Sequence, residues 1–240
     1  MRHAFAQITE RYKKHRRRRD FAFHQMSETA EDLMDSVEDQ KIFCDLEGTP
    51  LGKSKIAQIK RLARNNFVVN MVTALEVGLK QIILEDNEWD EIGLSKLLAE
   101  QRINLSEAYD LFGRHRVTRE FMLCQTTSFQ NLQVIEKVFS NLTNTPKFLK
   151  VAEKAKFRKE IPDHLKSMIP HWYIVVKTAF EVRNNFVHEG KASQITWSDT
   201  EVIGDTFFWF YHAIYDTTLK LRLAAKEKNR ETNSKVKRGL

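Results

Sequence analysis

Hydrophobic positions recur every three or four residues along most of this chain, and nowhere do they alternate with period two for long enough to make a sheet. The clearest stripe is Val68, Met71, Val72, Leu75, Leu79, Ile82 and Ile83, which predicts one long helix over about 55–85. Glu76 lies on the edge of that stripe, beside Val72, Leu79 and Lys80. "SKLLAEQR" and "LSEAYDLFG" read as short helices, the second starting at Asn104 or Ser106 and ended by Gly113. Phe121, Leu132, Ile135, Val138 and Phe139 predict a further long helix over 119–141, followed by a basic helical stretch that reaches Pro162. Pro170 permits a helix to begin and run to His188, where Gly190 is placed to end it. A last long helix starts near Ser198 or Asp199 and runs to about 228. The expected fold is an all-α helical bundle.

Composition supports that pattern. The 240 residues include only four prolines and eight glycines, so little interrupts long helices. "EGTPLGKS" (47–54) is the clearest boundary. It divides an N-terminal helical extension, 1–53, from a main helical domain, 54–228, with a flexible basic tail at 229–240. The extension is basic at "RYKKHRRRR" (11–19) and mostly acidic over 28–47. Its basic run reads as a solvated helix face, with RNA contact as the alternative.

The formal charge of +7 and an isoelectric point near 9.3 favour a polyanionic partner. Cys44 and Cys124 are far apart and form no CxxC, which fits a reducing, cytoplasmic compartment. No secretory signal is visible, and no apolar run approaches the roughly 20 residues of a membrane helix. No membrane partner is therefore expected. The usual phosphate cradles, GxGxxG and GxxxxGK[ST], are missing, as are HExxH and GxSxG. Neither a metal nor an organic cofactor is expected.

The most informative stretch is "FEVRNNFVHEG" (180–190). On a helix the neighbours of Arg183 are Ala179, Phe180, Phe186 and Val187, all apolar. A second "RNNFV" occurs at 64–68, but there Arg64 neighbours Lys60, Arg61, Phe67 and Val68, a mixed set typical of a helix flank, and Val69 stands where the histidine would be. Arg183 needs a carboxylate, a backbone acceptor or an anionic ligand, because an unpaired charge in a dry site costs several kcal/mol. Glu76 is the best intramolecular candidate. His188 sits in the last turn, as a group that can lend and take a proton near neutrality. Five residues advance a helix by roughly 500°, so the two side chains diverge by about 140° and no tight intrahelical pair between them is expected.

These residues resemble the signature of the HEPN superfamily (higher eukaryotes and prokaryotes nucleotide-binding): Arg183, then Asn184, Asn185, Phe186, Val187, then His188. The wider order is similar too: a long early helix with an inward glutamate, the motif helix, then a long terminal helix, over about 55–225. The resemblance implies a helical bundle that forms a homodimer, with two motifs meeting in one composite cleft. It implies metal-independent RNA cleavage through attack of the 2′-OH, in phage defence or a toxin–antitoxin pair, with a neutralising or regulatory protein partner. In that reading Arg183 and His188 are catalytic, Asn184 orients the phosphate or the histidine, and Glu76 holds Arg183.

Two other readings fit the residues. One is a non-catalytic RNA-binding or regulatory dimer whose motif holds phosphate without cutting. The other is a structural helical protein in which Arg183 and Glu76 form a buried pair. The aromatic run Phe207, Phe208, Trp209, Phe210 and Tyr211 covers more of a helix than one core face can bury, which also points to a dimer.

Overall fold

The computed structural model describes residues 22–38, 50–85, 89–101, 113, 117–154 and 171–238, with side chains described at 26–34, 52–85, 89–101, 113, 117–154 and 171–227. Eight α-helices and no strand occur among the described residues: α1 Ala22–Glu38, α2 Pro50–Leu84, α3 Glu91–Ala99, α4 Arg119–Thr126, α5 Leu132–Leu142, α6 Phe148–Glu153, α7 Trp172–Glu189 and α8 Trp197–Arg238. The all-α expectation holds. The helix expected at 105–113 and the basic stretch beyond Lys154 lie outside the described residues, as does the basic run at 11–19.

α2 is the axis of the molecule. Its stripe from Val68 to Ile83 is buried as expected, and α1, α4, α7 and α8 all pack against it. The helix starts at Pro50, earlier than its apolar pattern, because proline at the first position loses no hydrogen bond that the helix needs. Gly52–Leu84 contains a window long and apolar enough to cross a membrane; 56% of that window is buried inside the protein, as suits a central core helix. α1, from the N-terminal extension, lays Ala30 and Met34 against α2.

The aromatic run of α8 is absorbed by this core. Phe207, Trp209, Phe210 and Tyr211 are buried, and only Phe208 remains 44% exposed. Phe207 meets Phe180 edge-on at 6.2 Å, and Phe210 stacks on Trp172 at 5.0 Å. α8 packs on α2, α6 and α7, so several neighbours share its circumference. The run is therefore satisfied within one chain and gives no argument for a dimer. Beyond the core α8 continues to Arg238, through the stretch expected to be a flexible tail.

The helix expected over 119–141 is two helices. Thr126 turns its hydroxyl back onto the carbonyls of Met122 and Leu123, and Thr127 is extended. Asn131 then starts α5 by accepting the Gln133 amide at 2.7 Å. The polar sequence "TTSFQN" competes for backbone hydrogen bonds in the way that ends helices. Phe129, in the break, is buried against Phe139.

α3 and α5 touch at their backbones. The Asp90 side chain accepts from the Gly93 amide at 2.7 Å, and the Asp90 amide donates to the Leu142 carbonyl at 2.9 Å. A Cβ on Gly93 would lie 2.0 Å from the Asn141 carbonyl oxygen. Helix propensity alone favours alanine there by up to about 1 kcal/mol. The collision is with backbone, which cannot rotate away, so Gly93→Ala is expected to destabilise the fold by about 1–3 kcal/mol, read as a lower midpoint in urea.

Candidate active site

The Arg183 side chain lies where the buried face of α7 runs out into solvent. Trp172, Val176, Ala179 and Phe180 fix that face against the core. α7 packs on α2, as the pairing of their apolar stripes requires. One turn later the face is free: Phe186 is half-buried and Val187 is 47% exposed. Arg183 is half-buried, and Asn184, Asn185 and His188 are exposed. Its apolar neighbours therefore describe one side of Arg183 only; the other side opens outward.

The guanidinium Nη1 of Arg183 lies 3.1 Å from Nε2 of His188 and donates to Oδ1 of Asn184 at 3.0 Å. The divergence of about 140° that helix geometry gives does not keep the side chains apart. Arginine carries its charge at the end of a long flexible stem, and helical side chains lean toward the preceding turn, so the two span one and a half turns. The pair that angular arithmetic excluded is formed. Arginine has no acceptor, so a hydrogen bond between the two requires Nε2 of His188 to accept, with the ring proton on Nδ1. The Nε of Arg183 is shielded from water and has no hydrogen-bond partner.

Glu76 does not reach this site. It forms an ion pair with Lys80 at 2.9 Å and accepts from Nε2 of Gln130 at 2.7 Å. Burial pushes its pKa up, but the hydrogen bonds from Lys80 and Gln130, the Lys80 charge and the Phe129 amide outweigh that and hold it below the usual carboxylate range. A cation one turn away and a loop side chain from the α4–α5 break reach it first. Glu76 is thus a tether between α2 and that break, and the buried Arg183–Glu76 pair does not exist. Among the described residues no carboxylate pairs with Arg183.

The end of α7 is built as the sequence suggests. Gly190 has φ 65°, in the left-handed region, and its amide donates to the Asn185 carbonyl, as does that of Lys191. Residues 191–196 then form a strap to α8. Thr196 and Asp199 close a reciprocal box: the Thr196 amide donates to Oδ2 of Asp199 at 2.8 Å, and the Asp199 amide donates to Oγ1 of Thr196 at 3.2 Å. The cap is therefore Thr196, with Asp199 as its partner inside the first turn.

The strap is held by the other "RNNFV". Asn65 is fully buried; its Nδ2 donates to the carbonyls of Ser193 (3.0 Å) and Arg61 (2.8 Å), and its Oδ1 accepts the Ser193 amide at 2.9 Å. Arg64 Nη1 donates to the Ile195 carbonyl at 3.2 Å. So Arg64 is not an idle flank residue: the first copy of the word clamps the loop that follows the helix carrying the second. The only hint in the sequence was an asparagine three residues before Val68 of the apolar stripe of α2.

Cys124 is buried and its thiol is pushed far up by burial, so it serves as a small apolar core residue. Among the described residues no group of three or more His, Cys, Asp or Glu side chains is placed to hold a metal. No family model, curated protein or solved structure matches this chain.

Proposed function

We propose that this protein is a metal-independent endoribonuclease of HEPN type, acting as a homodimer. The observation that carries this reading is the Arg183 guanidinium. Among the described residues it has no carboxylate, its Nη1 lies at an open helix end, and that Nη1 touches Nε2 of His188. A cation placed this way suits a phosphate, which takes two parallel N–H donors from an arginine. Asn184 keeps the guanidinium turned toward His188.

The chemistry follows from these contacts. An RNA phosphate drawn to Arg183 competes with His188 for Nη1 and frees the Nε2 lone pair. Nε2 then takes the proton of the 2′-OH; the 2′-oxygen bonds to phosphorus, and the bond to the 5′-oxygen breaks. Arg183 stabilises the charge that builds on the phosphoryl oxygens. The leaving 5′-oxygen takes a proton from a second acid, which the His188 of a second copy supplies in its protonated form. Tyr173, Ile174 and Val187 are exposed apolar side chains on the helix that carries the site, and they offer a surface for that copy.

Purified protein in EDTA is expected to cut single-stranded RNA and to spare DNA of the same sequence, which lacks the nucleophile. Cleavage that stops in EDTA, or DNA cut as readily as RNA, overturns the proposal. The contact between Arg183 and His188 also favours a second reading, a module that binds phosphate while the base stays occupied; tight RNA binding without cleavage selects it.

A further inference from the structure

α8 is much longer than the core it serves. Its last buried residues are Thr217 and Thr218; Leu221 and Arg222 are half-buried, with the Arg222 guanidinium 5.4 Å from the centre of the Trp89 ring. From Leu223 to Lys226 and Glu227 every side chain is exposed, yet the backbone remains helical to Arg238. Alanine, lysine, glutamate and arginine, the good helix formers, fill the first half of this extension.

Its composition is one-sided. Residues 223–238 contain six Lys or Arg (Lys226, Lys228, Arg230, Lys235, Lys237 and Arg238) against two glutamates. The apolar residues are Leu223, Ala224, Ala225 and Val236, too few and too clustered to make a stripe. A helix that binds a membrane surface needs such a stripe, and so does one that packs into a protein groove. A helix with positive charge and no apolar face suits a phosphate backbone.

Its place in the fold gives the geometry. α7 and α8 run in opposite directions, since Phe180 meets Phe207 while Trp172, earlier in α7, meets Phe210. His188 is therefore at the start of α8, and the extension leaves from the other end. At 1.5 Å per residue, Leu223 lies roughly 40 Å along the axis from Trp197. At the 3.4 Å per residue of a stacked strand, that is about a dozen nucleotides.

We propose that residues 223–238 are a docking arm for the RNA phosphate backbone, gripping the substrate about a dozen nucleotides from the bond that is cut. This rests on the reading of the protein as an RNA-cleaving enzyme. The arm contributes to affinity for long RNA and adds nothing for RNA short enough to fill only the Arg183–His188 site.

The test compares the full-length protein with a full-length variant carrying glutamine at all six basic positions of 223–238. Both are titrated with 2′-O-methyl RNA, which is not cut, of about 30 and about 5 nucleotides, across roughly 50–200 mM salt. The variant is expected to bind the long RNA at least about 10-fold more weakly and to show a shallower salt dependence, by roughly 0.7 in log–log slope for each phosphate that is no longer neutralised. Binding of the short RNA is expected to stay the same. Unchanged affinity for the long RNA overturns the arm, and so does an equal loss for both lengths. A loss confined to vesicles rich in phosphatidylserine makes the surface a membrane contact and overturns it too. If the parent cuts RNA while the variant binds normally, only the arm falls. If the arm binds long RNA but the parent never cuts it, only the nuclease reading falls.

Discussion

His188→Ala is expected to lower the rate of RNA cleavage about 100-fold or more, the usual scale for losing a general acid or base, and to leave the fold intact. His188 is exposed, in the last turn of α7, and its ring meets the Arg183 guanidinium at the helix surface. Surface substitutions of this kind shift stability by about 0.5 kcal/mol or less. Arg183→Ala is expected to lose at least as much activity, since it removes both the charge that meets the phosphate and the group that holds Nε2. It too is expected to fold, because no carboxylate is left stranded: Glu76 keeps Lys80 and Gln130. A buried Arg–Glu pair would have given the opposite result, since removing one partner strands the other at a cost of about 3–5 kcal/mol. The check is a rate measured beside a thermal midpoint. An unfolded Arg183→Ala, or a His188→Ala that cuts like the parent, contradicts the site.

Asn65→Ala is the second large effect, this time on stability. The substitution removes three hydrogen bonds at a fully buried position and leaves the Ser193 amide and carbonyl without the partner they share. Each buried group left unsatisfied costs about 1–3 kcal/mol, so a loss of roughly 2–5 kcal/mol is expected in urea unfolding. Asn66→Ala is the control: its side chain is exposed one residue away, and a change of about 0.5 kcal/mol or less is expected. Equal effects at the two positions would mean that the strap is not what Asn65 holds. The strap fixes where α7 ends, so molecules of Asn65→Ala that remain folded should also cut more slowly.

These outcomes show which parts of the molecule can be read in its sequence. The stripe from Val68 to Ile83 and the glycine at 190 are local patterns, since helical periodicity and a left-handed cap depend on neighbours in the chain. They appear where expected. The break at 127–131 was carried by "TTSFQN", a run of capping residues that apolar spacing alone overlooks. The partner of Glu76 was not legible, because it depends on Gln130, 54 residues away, and on a lysine one turn along. Asn65 shows the same limit. Its role is set by a strap 128 residues later, and nothing near it in the chain marks it apart from Asn66. The contact between Arg183 and His188 was excluded by arithmetic on Cβ directions, which ignores the length of an arginine.

The chemistry of the cut ends tests the central claim most directly. With RNA, EDTA and purified protein, mass spectrometry of the products is expected to show a 2′,3′-cyclic phosphate on one fragment and a 5′-hydroxyl on the other, with both formed about 100-fold or more slowly by His188→Ala. Products ending in a 3′-hydroxyl and a 5′-phosphate would mean that water, and not the 2′-OH, attacked phosphorus. They would contradict the assignment of His188 as the base that activates the RNA's own nucleophile.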